Sequence, residues 1–148
     1  KPNPLGKDRG RDGATAAQLG GEWVDLRNTG FAAVDLAGVE IHHIAYGAVG
    51  AESRWEKVAS LLGRLDGGRV LRVHAGQRRD LSVLLPEDRT GADLHTFTGS
   101  DAYVWNNRQG DSALVWLPAS SQEVDRAAYG PNPPEGAVFT RYGSMLMV

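Results

Sequence analysis

Apolar and polar residues alternate with a period of two in several short stretches of this chain, and turn residues separate those stretches. In Glu22-Trp23-Val24-Asp25-Leu26-Arg27-Asn28, Val24 and Leu26 fall on one face, and Trp23, Asp25 and Arg27 on the other. That is the pattern of a half-buried strand. Asn28-Thr29-Gly30 ends it with turn residues. Val34-Asp35-Leu36 makes a short extended piece, Ala37-Gly38 permits a bend, and residues 39–46 resume strand character. Residues 69–75 predict another strand, with Leu71 and Val73 inward and Arg72 and His74 outward. Short strands are also predicted over 103–105, 112–117, 123–129 and 138–142. In the second of these, Leu114 and Trp116 oppose Ala113 and Val115. The expected core is Val24, Leu26, Leu36, Ile41, Leu71, Val73 and Leu114, with Trp105 and Trp116 as core or face-covering rings.

The stretches between these strands are less regular. Residues 1–20 are Pro/Gly-rich and charged, and predict a lead-in segment with at most a short edge strand. Residues 47–53 are a Gly/Ala/Ser loop. In residues 54–62, Trp55, Val58, Leu61 and Leu62 have helical spacing, while Trp55, Lys57 and Ala59 would share a strand face. An extended or one-turn helical insert is expected there. Residues 76–102 predict a long irregular connection. Seven or eight short strands with turns between them point to an all-β sandwich or barrel. No strand is followed by a long helix, which argues against a parallel α/β fold. The expected division is a lead-in over 1–20, a domain over 21–143 and a C-terminal tail over 144–148.

A chain of 148 residues is large enough for one domain with its own core. It contains no cysteine, so disulfides and thiolate metal sites are excluded. Zero cysteine fits the cytosol and equally an extracellular or cell-envelope setting. The net charge of −2 sets up no global attraction to nucleic acid or an acidic membrane. No apolar stretch approaches the roughly 18 residues of a membrane span. The chain starts at Lys1 without Met and with no visible leader, which is compatible with a processed piece of an exported protein. The Ala/Gly/Arg-rich, Lys-poor composition has a bacterial look.

Three blocks resemble the lamin-tail domain family. They are residues 21–30 with 34–38 (GEWVDLRNTG and VDLAG), residues 68–76 (GRVLRVHAG) and residues 103–113 (YVWNNRQGDSA). They occur in the family's order and span residues 21–117. The resemblance implies an immunoglobulin-like β-sandwich. Val39 stands where the family often has an aromatic residue, and residues 47–66 and 76–102 look like two loop insertions.

Candidate chemistry is sparse. His42 and His43 are neighbours on a strand and point to opposite faces. His74, Asp93 and His95 are the one set that could converge as zinc ligands or as a hydrolytic centre. Residues 8–13 (DRGRDG) resemble the start of a calcium loop. They lack an oxygen side chain at the third position, and Leu19 stands where the twelfth-position Glu would be. No Gly-x-Ser-x-Gly elbow and no Gly-rich phosphate loop is present.

The expectation is therefore a non-catalytic binding or scaffold module with no cofactor. It would be a monomer, recognising a protein or a cell-surface component within a larger bacterial protein. Binding is expected on the insertion loops 47–57 and 76–102, through Arg54, Trp55, Arg78, Arg79, His95 and Phe97. The alternatives are a metal-dependent or hydrolytic domain on His74, Asp93 and His95, and a nucleic-acid face on Arg69, Arg72, Arg78 and Arg79.

Overall fold

A computed structural model describes residues 1–6, 13–48 and 52–148. Residues 8–12 of the calcium-like loop lie outside the described residues. The fold is all-β. Its strands are β1 (Trp23–Arg27), β2 (Val34–Asp35), β3 (Glu40–Ala45), β4 (Arg54–Ser60), β5 (Arg64–Leu65) and β6 (Val70–His74). They continue with β7 (Leu94–Phe97), β8 (Asp111–Leu117), β9 (Gln122–Tyr129), β10 (Thr140–Tyr142) and β11 (Met145–Met147). The helices α1 (Ala16–Gly20) and α2 (Pro86–Arg89) are a turn or so long.

One sheet has the order β10-β11-β9-β8-β3-β4, a second has the order β1-β6-β7, and β2 pairs with β5. Antiparallel pairing of β1 with β6 sets Val24 opposite Val73 and Leu26 opposite Leu71. Those side chains join Ile41, Ala59, Leu61, Trp105 and Tyr129 in one apolar cluster contributed by both larger sheets. Leu36, Ile41, Leu71 and Val73 are buried as expected, whereas Val24 and Leu26 are half-buried and pack on the cluster's edge. Val73 is 2% exposed, so Val73→Ala should lower unfolding stability in urea by about 2–3 kcal/mol.

Several expectations give way to the structure. Residues 54–60 form β4, paired with β3. The register slips by one between Ile41 and His42, leaving Val58 as the extra residue. That bulge accounts for an apolar spacing that imitates a helix. Residues 76–102 contain a 3-10 turn at Leu81–Val83, then α2 and β7. β7 runs parallel to β6, and the intervening chain supplies the crossover that parallel pairing needs.

Residues 103–105 form no strand. The backbone N–H groups of Val104 and Trp105 instead donate to the buried Glu22 carboxylate, at 2.6 and 3.2 Å. On β8 it is Ala113 and Val115 that touch the core cluster. Leu114 is buried outside it, and Trp116 is half-buried outside it. Met145–Met147 lie between β9 and β10 as β11.

Part of the outward face of β1 and β6 is covered, although Asp25 and Arg27 stay exposed. Trp23 is 6% exposed, Arg72 4% and His74 0%. The first residues and the segment around α2 cover this face: Lys1, Pro4, Leu19, Gly20, Leu84 and Asp88 are all buried. A capping box between Thr15 and Gln18 starts α1. Trp23 N–H donates to the Lys1 carbonyl at 3.1 Å. Period-two alternation correctly separates the two faces of the strand, but it cannot reveal that a second layer covers the polar one.

Candidate functional site

Two polar clusters account for most of the buried titratable side chains. The first lies on the covered face of β1 and β6. The Arg72 guanidinium carbon sits 3.5 Å from the Trp23 ring centroid. Its Nε and Nη2 donate to the two Asp25 oxygens at 2.7 and 2.8 Å, a bidentate geometry that favours arginine over lysine. Arg72 Nη1 donates to the carbonyls of Asp88 and Thr90, each at 2.9 Å. Asp88 Oδ1 accepts from Lys1 Nζ at 2.6 Å and from Trp23 Nε1 at 2.9 Å. The chain thus clips the α2 segment and its own first residue onto β1 and β6 through charge-assisted bonds.

Beside this cluster lie His74, His95 and Phe97. The Gly20 carbonyl is 2.5 Å from His74 Nδ1, and a carbonyl can only accept. Nδ1 of His74 therefore carries the proton, and in the neutral ring Nε2 is the acceptor. His95 Nδ1 lies 2.9 Å from that Nε2, so it is the donor, and the lone pair of neutral His95 falls on Nε2. The ring centroids are 5.2 Å apart with the planes 15° from parallel, a geometry that suits this hydrogen bond. Phe97 stacks on His74 with centroids 5.0 Å apart. Burial pushes the His74 imidazole down to about 4. His95 is also lowered, first by burial and then by the nearby Arg72 charge.

Asp93 does not join the two histidines. Parallel pairing sets His95 beside Arg72 and Phe97 beside His74, with Leu94 beside Leu71. Asp93 therefore sits at the far end of this ladder. There it accepts from Arg69 Nη1 at 2.7 Å and from Val70 N–H at 2.8 Å, bonds that hold its carboxyl below the usual range. Among the described residues no three His, Cys, Asp or Glu side chains are grouped as metal ligands.

The second cluster centres on Asp111, 3% exposed. Its Oδ1 accepts from the N–H groups of Ile44 and Ser112 at 2.8 and 2.7 Å. Its Oδ2 accepts from Asn106 N–H at 3.0 Å and faces His43 Nδ1 at 3.0 Å. The Tyr129 hydroxyl donates to the Asn106 carbonyl at 3.1 Å, and burial raises its pKa well above the ordinary value. His43 meets Trp105 edge-on, with centroids 6.2 Å apart. The turn chemistry of Asn106 to Asp111 is legible in the sequence, but the partnership with His43, 68 residues away, leaves no local signal.

The six residues expected to bind fall into separate places. Arg54 and Trp55 lie on β4, at the edge of the six-stranded sheet, and both are exposed. Arg78 and Arg79 are exposed just beyond β6. His95 and Phe97 are half-buried on β7 against His74. Of the four arginines suggested for nucleic acid, Arg72 is buried against Asp25, and Arg69 pairs with Asp93. No family model and no curated protein matches the chain.

Proposed function

We propose that the chain is a non-catalytic binding module of the lamin-tail type, built as an immunoglobulin-like β-sandwich with two insertions. Its partner would be a protein or a cell-surface component of a bacterium. One observation carries this reading: buried polar side chains of the first and third family-like blocks are engaged with backbone groups, within the blocks and beyond them. Glu22, in the first block, accepts from Val104 and Trp105 in the third. Asn28 donates to the Ala32 and Leu65 carbonyls through its side chain, and its backbone N–H donates to the Arg69 carbonyl in the second block. Asp111 gathers Asn106, Ile44 and Ser112. Residues engaged in this way hold a scaffold, and they leave binding to the outer surface.

The test is a dual assay on the purified chain. Ester, phosphodiester, peptide and glycoside substrates, with and without added Zn²⁺, Mn²⁺ and Mg²⁺, should show no turnover. The same protein should co-sediment with bacterial cell-envelope fractions. Turnover that is abolished by His43→Ala or His95→Ala would overturn the reading in favour of an enzyme.

A further inference from the structure

The outer face of the six-stranded sheet is unlike the rest of the surface. One lateral row crosses all six strands. Tyr142 pairs with Met145, Met145 with Ala128, and Ala128 with Ser112. The β3–β8 ladder ends at His42 and Leu114, and just past its end the N–H groups of Ile44 and Ser112 both donate to Asp111 Oδ1, which holds Ile44 near Ser112. Ile44 pairs with Trp55. Cross-strand partners share a face, and this face is the outer one. Next to Ile44 in sequence, His43 meets the core ring Trp105. Next to Met145, Leu146 packs on the core. Tyr142 is 63% exposed, Met145 45% and Trp55 38%. Large side chains thus flank the small centre made by Ala128 and Ser112, and two aromatic rings stand at the two edges. At about 4.8 Å per strand the rings are roughly 24 Å apart.

The neighbouring rows are charged, but each charge has its counterpart beside it. Glu40 accepts from Lys57 Nζ at 3.2 Å and lies 2.8 Å from His42 Nε2. These contacts, led by His42, hold the Glu40 carboxyl below its ordinary range. Arg126 lies 3.5 Å from Glu123. The face therefore presents no net charge that would select a nucleic acid or an anionic membrane. What it offers is rings to stack on and paired charges whose remaining lone pairs and N–H groups can bond a neutral polar ligand.

We infer that this face binds a neutral polysaccharide chain laid across the strands, with Trp55 and Tyr142 stacking on sugar rings. A pyranose ring has apolar C–H faces, which suit an aromatic surface. Its rim of hydroxyls can both donate to Glu40 and accept from Lys57 and Arg126. The inference rests on the reading of the chain as a binding module and names that module's ligand class.

Electrophoresis through gels containing hydroxyethyl cellulose or soluble β-glucan, with pull-down on insoluble cellulose and chitin, tests it. At least one of these polymers should retard or retain the chain, and binding should survive 1 M NaCl. Trp55→Ala and Tyr142→Ala should each weaken binding at least tenfold. Phe31→Ala, which removes a fully exposed ring on the loop between β1 and β2, should leave it unchanged. Failure to bind any of the four polymers, or binding indifferent to both ring substitutions, overturns the inference. Cell-envelope binding that survives both substitutions also overturns it while sparing the module reading, and turnover of a substrate overturns that reading itself. Concentration-dependent dimerisation in sedimentation, lost in Trp55→Ala, would assign the face to a second copy instead.

Discussion

Asp111→Ala should destabilise the protein by about 4 kcal/mol in urea unfolding. The carboxylate binds the N–H groups of Ile44, Asn106 and Ser112 and the His43 ring. Ile44 belongs to β3, Asn106 to the turn before β8, and Ser112 to β8 itself, so one side chain joins a sheet interior to the loop beside it. Removing it strands one buried and two part-buried N–H donors, and each costs about 1–3 kcal/mol where no water can replace the acceptor. Asp111→Asn keeps one acceptor oxygen and should lose about half as much. His43→Ala removes a half-buried partner and leaves the three N–H bonds intact, so it should cost less than either. A domain of this kind has only about 5–15 kcal/mol in hand, so Asp111→Ala should also lower the melting temperature by several degrees. A loss below about 1 kcal/mol would mean that the carboxylate is a passenger at this corner.

The second large effect is acid lability above the carboxylate range. His74 has a folded pKa of about 4, lowered by burial from an ordinary value of 6.5. Between those values the unfolded chain binds a proton that the folded chain refuses. Stability therefore rises with pH across this window; the contribution is complete above pH 6.5 and is lost as pH falls toward 4. A displacement of this size corresponds to about 3 kcal/mol. His95, also lowered, adds in the same direction. The lowered carboxyls of Glu40, Asp93 and Asp125 act with the same sign but at more acid pH, so the window separates them from the histidines. Urea unfolding at pH 7.5, 6.0 and 4.5 should show the loss. The buried terminal amine of Lys1, pushed by burial from 8.0 to about 5, acts with the same sign at higher pH, mostly between pH 8 and 5. His74→Asn retains a donor for the Gly20 carbonyl and lacks the titrating ring, so it should flatten the slope between pH 6.0 and 4.5 and leave the part above pH 6.0 in place. An unchanged slope in that variant would assign the acid response to other groups.

Much of the fold was legible along the chain. β1, β3, β6, β8 and β9 fall where alternation and turn residues predict them, because a strand with one face on a core repeats every second residue. Leu71 and Val73 are core residues for that reason. The Asn106 to Asp111 corner could be read from turn chemistry, since Asn and Asp side chains bond nearby amides. The candidate sites were less legible. Trp55 was singled out, but as part of an inserted loop. It lies on a paired strand, and a bulge at Val58 disguised that strand's period.

By itself the sequence determined the all-β class, the positions of the central strands, the inward residues of β1 and β6 and the lack of thiol chemistry. These depend on neighbours a few residues apart. Tertiary structure alone decided that Trp23, Arg72 and His74 are buried beneath the first residues and α2. It also decided that Glu22 replaces a strand partner for Val104 and Trp105, and that Asp93 is held away from His74 and His95. Each of these outcomes depends on a contact between groups distant in sequence, or on the register of β7 against β6. An amide or a guanidinium takes whichever acceptor the packed chain brings within about 3 Å, and no local pattern in the sequence specifies which one that will be.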